Sequence, residues 1–170
     1  MAGTLTVQNI QGPSSGANAN TVILGSGQKL IVPEHVIGFN QASHNTQQTV
    51  TSTSYVSIGL SVSYTAKSAD SKLLISWSIP IELYDPSSNS EVLGQCSLYK
   101  DSAQYGTSYI AISSMENIKR SGMTNSHHLA INAVDTSSHD YAVYAKVNVD
   151  QFTVFRYSRV GFITVMEIAQ

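Results

Sequence analysis

The sequence predicts an all-β protein: an antiparallel β-sandwich or jelly roll preceded by an extended N-terminal β arm. Three features carry that expectation. Apolar and polar residues alternate through most of the chain, which is the period of a half-buried strand and not the 3.6 of a helix. The alternating segments recur at about ten to fifteen residues and end in turn-forming clusters of Gly, Pro, Asn, Asp and Ser. Helical patterning is confined to one short stretch.

The opening of the chain differs in character from the rest. Leu5, Val7 and Ile10 alternate, a small-residue run follows from Gly12 to Asn20, and then come three short apolar pieces, Val22 to Leu24, Leu30 to Val32 and Val36 to Phe39. None is long enough to hold a strand pair by itself. A segment of short β pieces without its own core borrows one from neighbouring chains, so residues 1–45 are expected to form an attachment arm or intertwined stem, and residues 46–170 the globular domain. Leu5, Val7, Ile10, Val22 and Leu24 are the arm's candidate contact residues.

The clearest strand runs from Val56 to Tyr64, where Val56, Ile58, Leu60, Val62 and Tyr64 alternate with Ser57, Gly59, Ser61 and Ser63. Leu73 to Leu83 keeps one apolar parity throughout and contains Pro80, which cannot donate to a ladder; an edge position or a bulge is expected there. The stretch Asp85-Pro-Ser-Ser-Asn89 reads as a turn. Further strands are expected over Val92 to Tyr99, Ser108 to Ser113, His127 to Ala133, Tyr141 to Val149, Thr153 to Tyr157 and Val160 to Ile168, giving about eight, a number that suits two sheets covering each other's apolar faces. The one helical signal is Ser113-x-x-Glu116 with Gly122 as a stop, which predicts a turn or two over Met115 to Arg120.

Composition narrows the function classes. The chain has 170 residues, the size of one core with a short appendage. Charged residues are 12% and the net charge is −2, which argues against a nucleic-acid binder, since that role needs a basic field. Apolar residues at 42%, with nine Tyr, four Phe and one Trp, suffice for a core and exclude a disordered chain. Cys96 is the single cysteine, so neither an internal disulfide nor a cysteine pair for zinc is available. There is no basic leader with a long apolar run, and the apolar stretch around Leu73 falls far short of the ~20 residues of a membrane helix. A soluble protein made in a cytoplasm, without membrane insertion, is expected.

No pattern of catalysis stands out. Gly25-Ser-Gly27 lacks the third glycine and the helix of a phosphate-binding loop. There is no Gly-x-Ser-x-Gly elbow, and Cys96 sits at an apolar-parity position, as a buried structural thiol would. Glu82 with Asp85, or Asp135 with Asp140, could pair as acid and base on a glycan, but nothing in the spacing fixes their separation. His127 and His128 are adjacent, so along one strand they point to opposite faces and do not chelate one ion. Neither a cofactor nor a metal is expected, nor is the chain expected to be an enzyme. Tyr99, Tyr105 and Tyr109 cluster around a polar loop containing Lys100, Asp101, Ser102 and Gln104, a mixture suited to sugars or to another protein surface.

The arm, Gly3-Thr-Leu-Thr-Val-Gln-Asn-Ile-Gln-Gly-Pro-Ser-Ser-Gly-Ala-Asn-Ala-Asn, the segment starting Ser52-Thr-Ser-Tyr-Val-Ser-Ile-Gly-Leu-Ser-Val-Ser-Tyr, and the segment Ile163-Thr-Val-Met-Glu-Ile-Ala resemble small virion proteins of tailed bacteriophages, especially those of cyanobacterial and other aquatic hosts. Residues 86–134 match no part of that pattern. The resemblance implies a homotrimeric virion component, made in the bacterial host cytoplasm, with no catalytic residues to carry over. Its first expectation is a short tail fibre, joined by its arm to tail or baseplate proteins and contacting a host cell-surface glycan or protein; the resemblance assigns no contact residues, and the candidates read from the residues themselves are Tyr99, Tyr105, Tyr109, His127 and His128. A capsid decoration (cement) protein is the alternative, and a polysaccharide-degrading tail enzyme a second one.

Overall fold

The computed structural model describes residues 32–84, 92–105, 109–113 and 120–170, with the main chain alone for 109–113, 120 and 121. Residues Pro33–Gln170 form one compact unit. Its strands are β1 (Val36–His44), β2 (Gln48–Val50), β3 (Val56–Thr65), β4 (Lys72–Tyr84), β5 (Leu93–Lys100), β6 (Ala103–Gln104), β7 (Tyr109–Ser113), β8 (Arg120–Asn132), β9 (Ser138–Val147), β10 (Gln151–Val154) and β11 (Gly161–Ile168). They build two antiparallel sheets that pack as a sandwich, as the alternation predicts. Among the described residues no helix is long and apolar enough to cross a membrane.

In the first sheet β8 pairs with one side of β4, and β11 and β10 pair in turn along the other side. Beyond them β1 pairs with β11, and β2 with β10. The second sheet runs β3, β9, β5, with β6 and β7 both along the far side of β5. Alternation decides what lies between the sheets. Ile58, Leu60 and Val62 of β3, Leu73, Ile75, Trp77, Ile79, Ile81 and Leu83 of β4, and Tyr141, Val143, Ala145 and Val147 of β9 are all buried in one core. Their serine neighbours on β3 face solvent.

Pro80 occupies neither an edge nor a bulge, contrary to the expectation. β4 is interior, and Pro80 falls between the part paired with β11, ending at Ser78, and the part paired with β10, starting at Ile81. A strand residue's N–H and C=O point to the same side, and the Pro80 carbonyl accepts the Phe155 N–H at 2.7 Å. The missing donor therefore faces the gap between β10 and β11, where no ladder bond is lost.

That gap also shortens the expected strand from Thr153 to Tyr157. Phe155, Tyr157 and Ser158 have left-handed φ of 54°, 58° and 53°, so the chain leaves the sheet after Val154. Phe155 itself turns into the core and meets the His44 ring edge-on at 4.9 Å. Gly161, where the chain rejoins the sheet, lies so close that a Cβ there would stand 2.6 Å from the Phe155 ring.

Two other boundaries differ from the sequence reading. Val36–His44, expected within the arm, is a full strand of the first sheet, because its register with Gly161–Ile168 buries Gly38 and packs Ala42 on the core. The strand expected from His127 begins at Arg120, since β8 follows β4 over its whole length. That overturns Arg120 as a helical residue; the remainder of the expected helix, 115–119, lies outside the described residues, as do the turn 85–89 and the arm residues Leu5, Val7, Ile10, Val22 and Leu24.

The edge of β3 is closed by side chains from the other sheet. Asn40 Nδ2 donates to the Ser63 carbonyl at 2.9 Å and Gln48 Nε2 to the Ser57 carbonyl at 3.3 Å. Farther along, Glu167 is wholly buried and accepts hydrogen bonds from the Tyr64 hydroxyl (2.6 Å), the Lys67 and Ser68 N–H groups (2.9 and 3.0 Å) and the Ser71 hydroxyl (2.7 Å), holding the β3–β4 loop.

Candidate functional site

On β5, Gly94, Cys96 and Leu98 point into the core, so Gln95, Ser97 and Tyr99 point outward. On β9 the outward residues are Ala142, Tyr144 and Lys146. The register sets Gln95 opposite Lys146, Ser97 opposite Tyr144 and Tyr99 opposite Ala142. Tyr99 and Tyr144 are thus diagonal neighbours on one outer face, and their rings stack with centroids 3.9 Å apart and planes 21° from parallel.

Tyr55, just before β3, extends the platform. Its ring meets Tyr99 edge-on at 6.0 Å, its hydroxyl donates to Gln95 Oε1 at 3.3 Å, and Lys146 Nζ lies 4.7 Å from its centre. Partial burial, and then the neighbouring Tyr55 and Tyr144, push the Tyr99 hydroxyl above its ordinary range, so it stays a neutral donor and acceptor. Beside it, Gln104 Nε2 donates to the Ser97 hydroxyl at 3.1 Å. The result is a half-buried aromatic surface bordered by an amide and an ammonium. Aromatic faces take the C–H face of a sugar ring, and the bordering polar groups take its hydroxyls.

The five contact candidates named from the sequence do not form one site. Tyr99 belongs to the platform. Tyr105 follows Lys100, whose Nζ lies 6.0 Å from its ring centre, and Lys100 points to the face opposite Tyr99. Tyr109 pairs through its main chain with Cys96, and its side chain lies outside the described residues. His127 and His128 are on β8 of the other sheet. His127 lies against Trp77 at 5.0 Å, and burial, then the adjacent His128, lower its pKa.

Of the carboxylates considered for acid–base work, Glu82 pairs with Arg156 and Asp135 serves a turn. His139 bridges Asp135 to Asp101, with Nδ1 2.7 Å from Asp101 Oδ2 and Nε2 3.0 Å from Asp135 Oδ1. Asp101 also accepts the Asp140 N–H at 3.0 Å. These bonds, the backbone one first, hold the Asp101 carboxyl below the usual range; the Ser137 N–H, followed by His139, does the same for Asp135. Asp85 lies outside the described residues. Cys96 is buried, as its parity predicts, and burial pushes its thiol up to about 12.

Tyr55, Tyr144, Gln95 and Lys146 were not singled out from the sequence. Tyr144 and Lys146 sit at outward parity within the expected strand from Tyr141, and that signal was available.

No protein-family model matches the chain, and no curated protein matches it. Solved structures of similar fold include dimeric latent PorU from Porphyromonas gingivalis, at 12% identity and a TM-score of 0.42 over 85% of this chain and 14% of that one. The VP2 protein of Infectious Bursal Disease Virus, in T=1 particles, is 10% identical with a TM-score of 0.41 over 93% of this chain and 44% of that one. The C-terminal domain of EclA, a sugar-binding protein, is 14% identical with a TM-score of 0.34 over 86% and 92%. Thus the chain spans well under two thirds of PorU and VP2, and the likeness extends to a β-sandwich build alone.

Proposed function

We propose that this chain is a virion surface protein of a tailed bacteriophage, a short tail fibre that works as a homotrimer and binds a host cell-surface glycan. The observation that carries the reading is the Tyr99–Tyr144 stack on the outer face of the second sheet, with Tyr55, Gln95 and Lys146 around it. A half-buried aromatic surface bordered by polar groups has the composition that takes a sugar ring or another protein surface. The phage-like arm and strand segments in the sequence support a virion setting, in which the residues that precede β1 join tail or baseplate proteins. Binding is the whole role in this reading, without a catalytic step, a cofactor or a metal. Weak single sites gain strength when several engage one cell.

The test is a glycan array, or immobilised host envelope saccharide, probed with the full chain, together with light scattering for the subunit number. Tyr99→Ala and Tyr144→Ala are each expected to weaken binding about tenfold, the order of an aromatic contact multiplied over several sites. Unchanged binding in both variants would sink the reading.

Capsid decoration is favoured by a different observation. Phe39 is 59% exposed on the outer face of the first sheet, in register with Met166, which is itself in register with Leu74. An apolar row of that kind suits contact with another protein. Under this alternative the chain binds purified capsids, and Phe39→Ser abolishes that binding while saccharide binding stays absent.

A further inference from the structure

The break in the first sheet opens a recess of about 190 Å³ on its outer face, lined by Pro80, Glu82, Gly122, Met123, Arg156, Tyr157 and Arg159 among others. We propose that this recess binds a single sugar ring carrying a carboxylate, at a site separate from the tyrosine platform.

Its volume suits one ring and not an oligosaccharide, being below the range of pockets that enclose drug-sized ligands. Charge then selects the ligand. Glu82 is only 8% exposed and pairs with Arg156, whose Nε is 3.2 Å from Glu82 Oε2. Arg159 has no acidic partner among the described residues. Two guanidinium groups against one carboxylate leave a surplus of one positive charge, which matches a monoanion better than a dianionic phosphate. Guanidinium groups also take carboxylates in paired hydrogen bonds.

The remaining walls suit the ring itself. Tyr157 is 69% exposed; the Arg156 guanidinium lies 4.3 Å from its ring centre, and that exposure leaves ring surface for stacking. The Thr124 hydroxyl and Glu82 carboxylate offer partners for sugar hydroxyls.

The loop that carries these residues is held in an unusual backbone. Phe155, Tyr157 and Ser158 all occupy left-handed φ without being glycine. Phe155 anchors the loop in the core, and the Tyr157 N–H donates to Gln47 Oε1 at 2.9 Å. Strain of this kind persists where the surroundings over-determine it and gathers at ligand clamps. Gly122 keeps the floor open: a Cβ there would meet only the Ile81 carbonyl, at 3.7 Å, so the fold tolerates a side chain that would occupy the recess.

The experiment titrates the full-length protein with methyl β-D-glucuronide, methyl β-D-glucoside and inorganic phosphate, followed by saturation-transfer and chemical-shift NMR. The glucuronide is expected to bind at least tenfold more tightly than either of the others. Arg159→Gln and Gly122→Val are each expected to weaken it at least tenfold with an unchanged melting temperature, whereas Tyr99→Ala leaves it unaltered. Equal binding of the glucoside, equal binding of phosphate, or full retention of binding in Arg159→Gln and Gly122→Val would each overturn the proposal. Loss in Tyr99→Ala alone would assign the saccharide to the platform and overturn it as well.

Discussion

The Tyr64 hydroxyl donates to Glu167 Oε2 at 2.6 Å, tying β3 of one sheet to β11 of the other. Gly38 makes the approach feasible, because a Cβ at that position would stand 1.8 Å from the Tyr64 oxygen. Burial pushes the Glu167 carboxyl up, but hydrogen bonds from Tyr64, Ser71, Lys67 and Ser68 outweigh it and hold the group below its ordinary value of 4.5. The same contact raises the Tyr64 hydroxyl, through burial first and then through Glu167.

A buried carboxylate with several donors is expensive to replace. Glu167→Gln should destabilise the fold by about 2–4 kcal/mol, since the amide turns an NH₂ toward donors that have lost their acceptor. Urea unfolding at neutral pH checks the size of the loss.

The same residue sets an acid limit. Its folded pKa lies below the unfolded one, so at low pH the unfolded chain binds more protons, and the contribution is complete above about pH 4.5 and fades as the pH falls through the folded value. Stability curves between pH 2 and 7 should show that decline in the parent, with a shallower one in Glu167→Gln.

Gly161→Ala should cost about 1–3 kcal/mol, because the new methyl collides with the Phe155 ring at 2.6 Å and with the Ser78 carbonyl at 3.1 Å. Phe155→Leu in the same chain should recover part of the loss, and a thermal-unfolding double-mutant cycle measures that recovery.

Trp77 Nε1 donates to Asn125 Oδ1 at 3.0 Å inside the first sheet. Asn125→Ala removes that acceptor and should cost about 1–3 kcal/mol. Because Trp77 is the single tryptophan, a change in its emission reports the loss directly.

Cys96 is fully buried with its thiol pushed up to about 12 by burial. It should react with a disulfide reagent at neutral pH only at the rate at which the sandwich opens. Fast labelling of the native protein would contradict the burial of β5.

Alternation made the inward faces of β3, β4 and β9 legible, since Ile58, Ile75 and Val143 each sit in an unbroken period of two. What it could not convey was pairing. Pro80 reads as an edge residue until two separate strands are seen to share one side of β4. Val36–His44 reads as an arm because its partner is more than a hundred residues away. The site was half visible for the same reason: Tyr99 stood out in a polar segment, but its stacking partner Tyr144 is set by the register between β5 and β9. Tyr105, near Tyr99 in sequence, is carried off by the tight turn at Asp101 and Ser102, both at left-handed φ.

The pairing order of the first sheet also dictates when it can exist during synthesis. β4 is flanked only by strands made after it, and β1 waits for β11, with Val36 opposite Ile168. At the ribosome's pace of about 5–20 residues per second, β4 stands without neighbours for several seconds before residues 120–132 emerge and β8 can pair along it. Until then its Leu73–Leu83 face, buried in the finished core, has nothing to cover it.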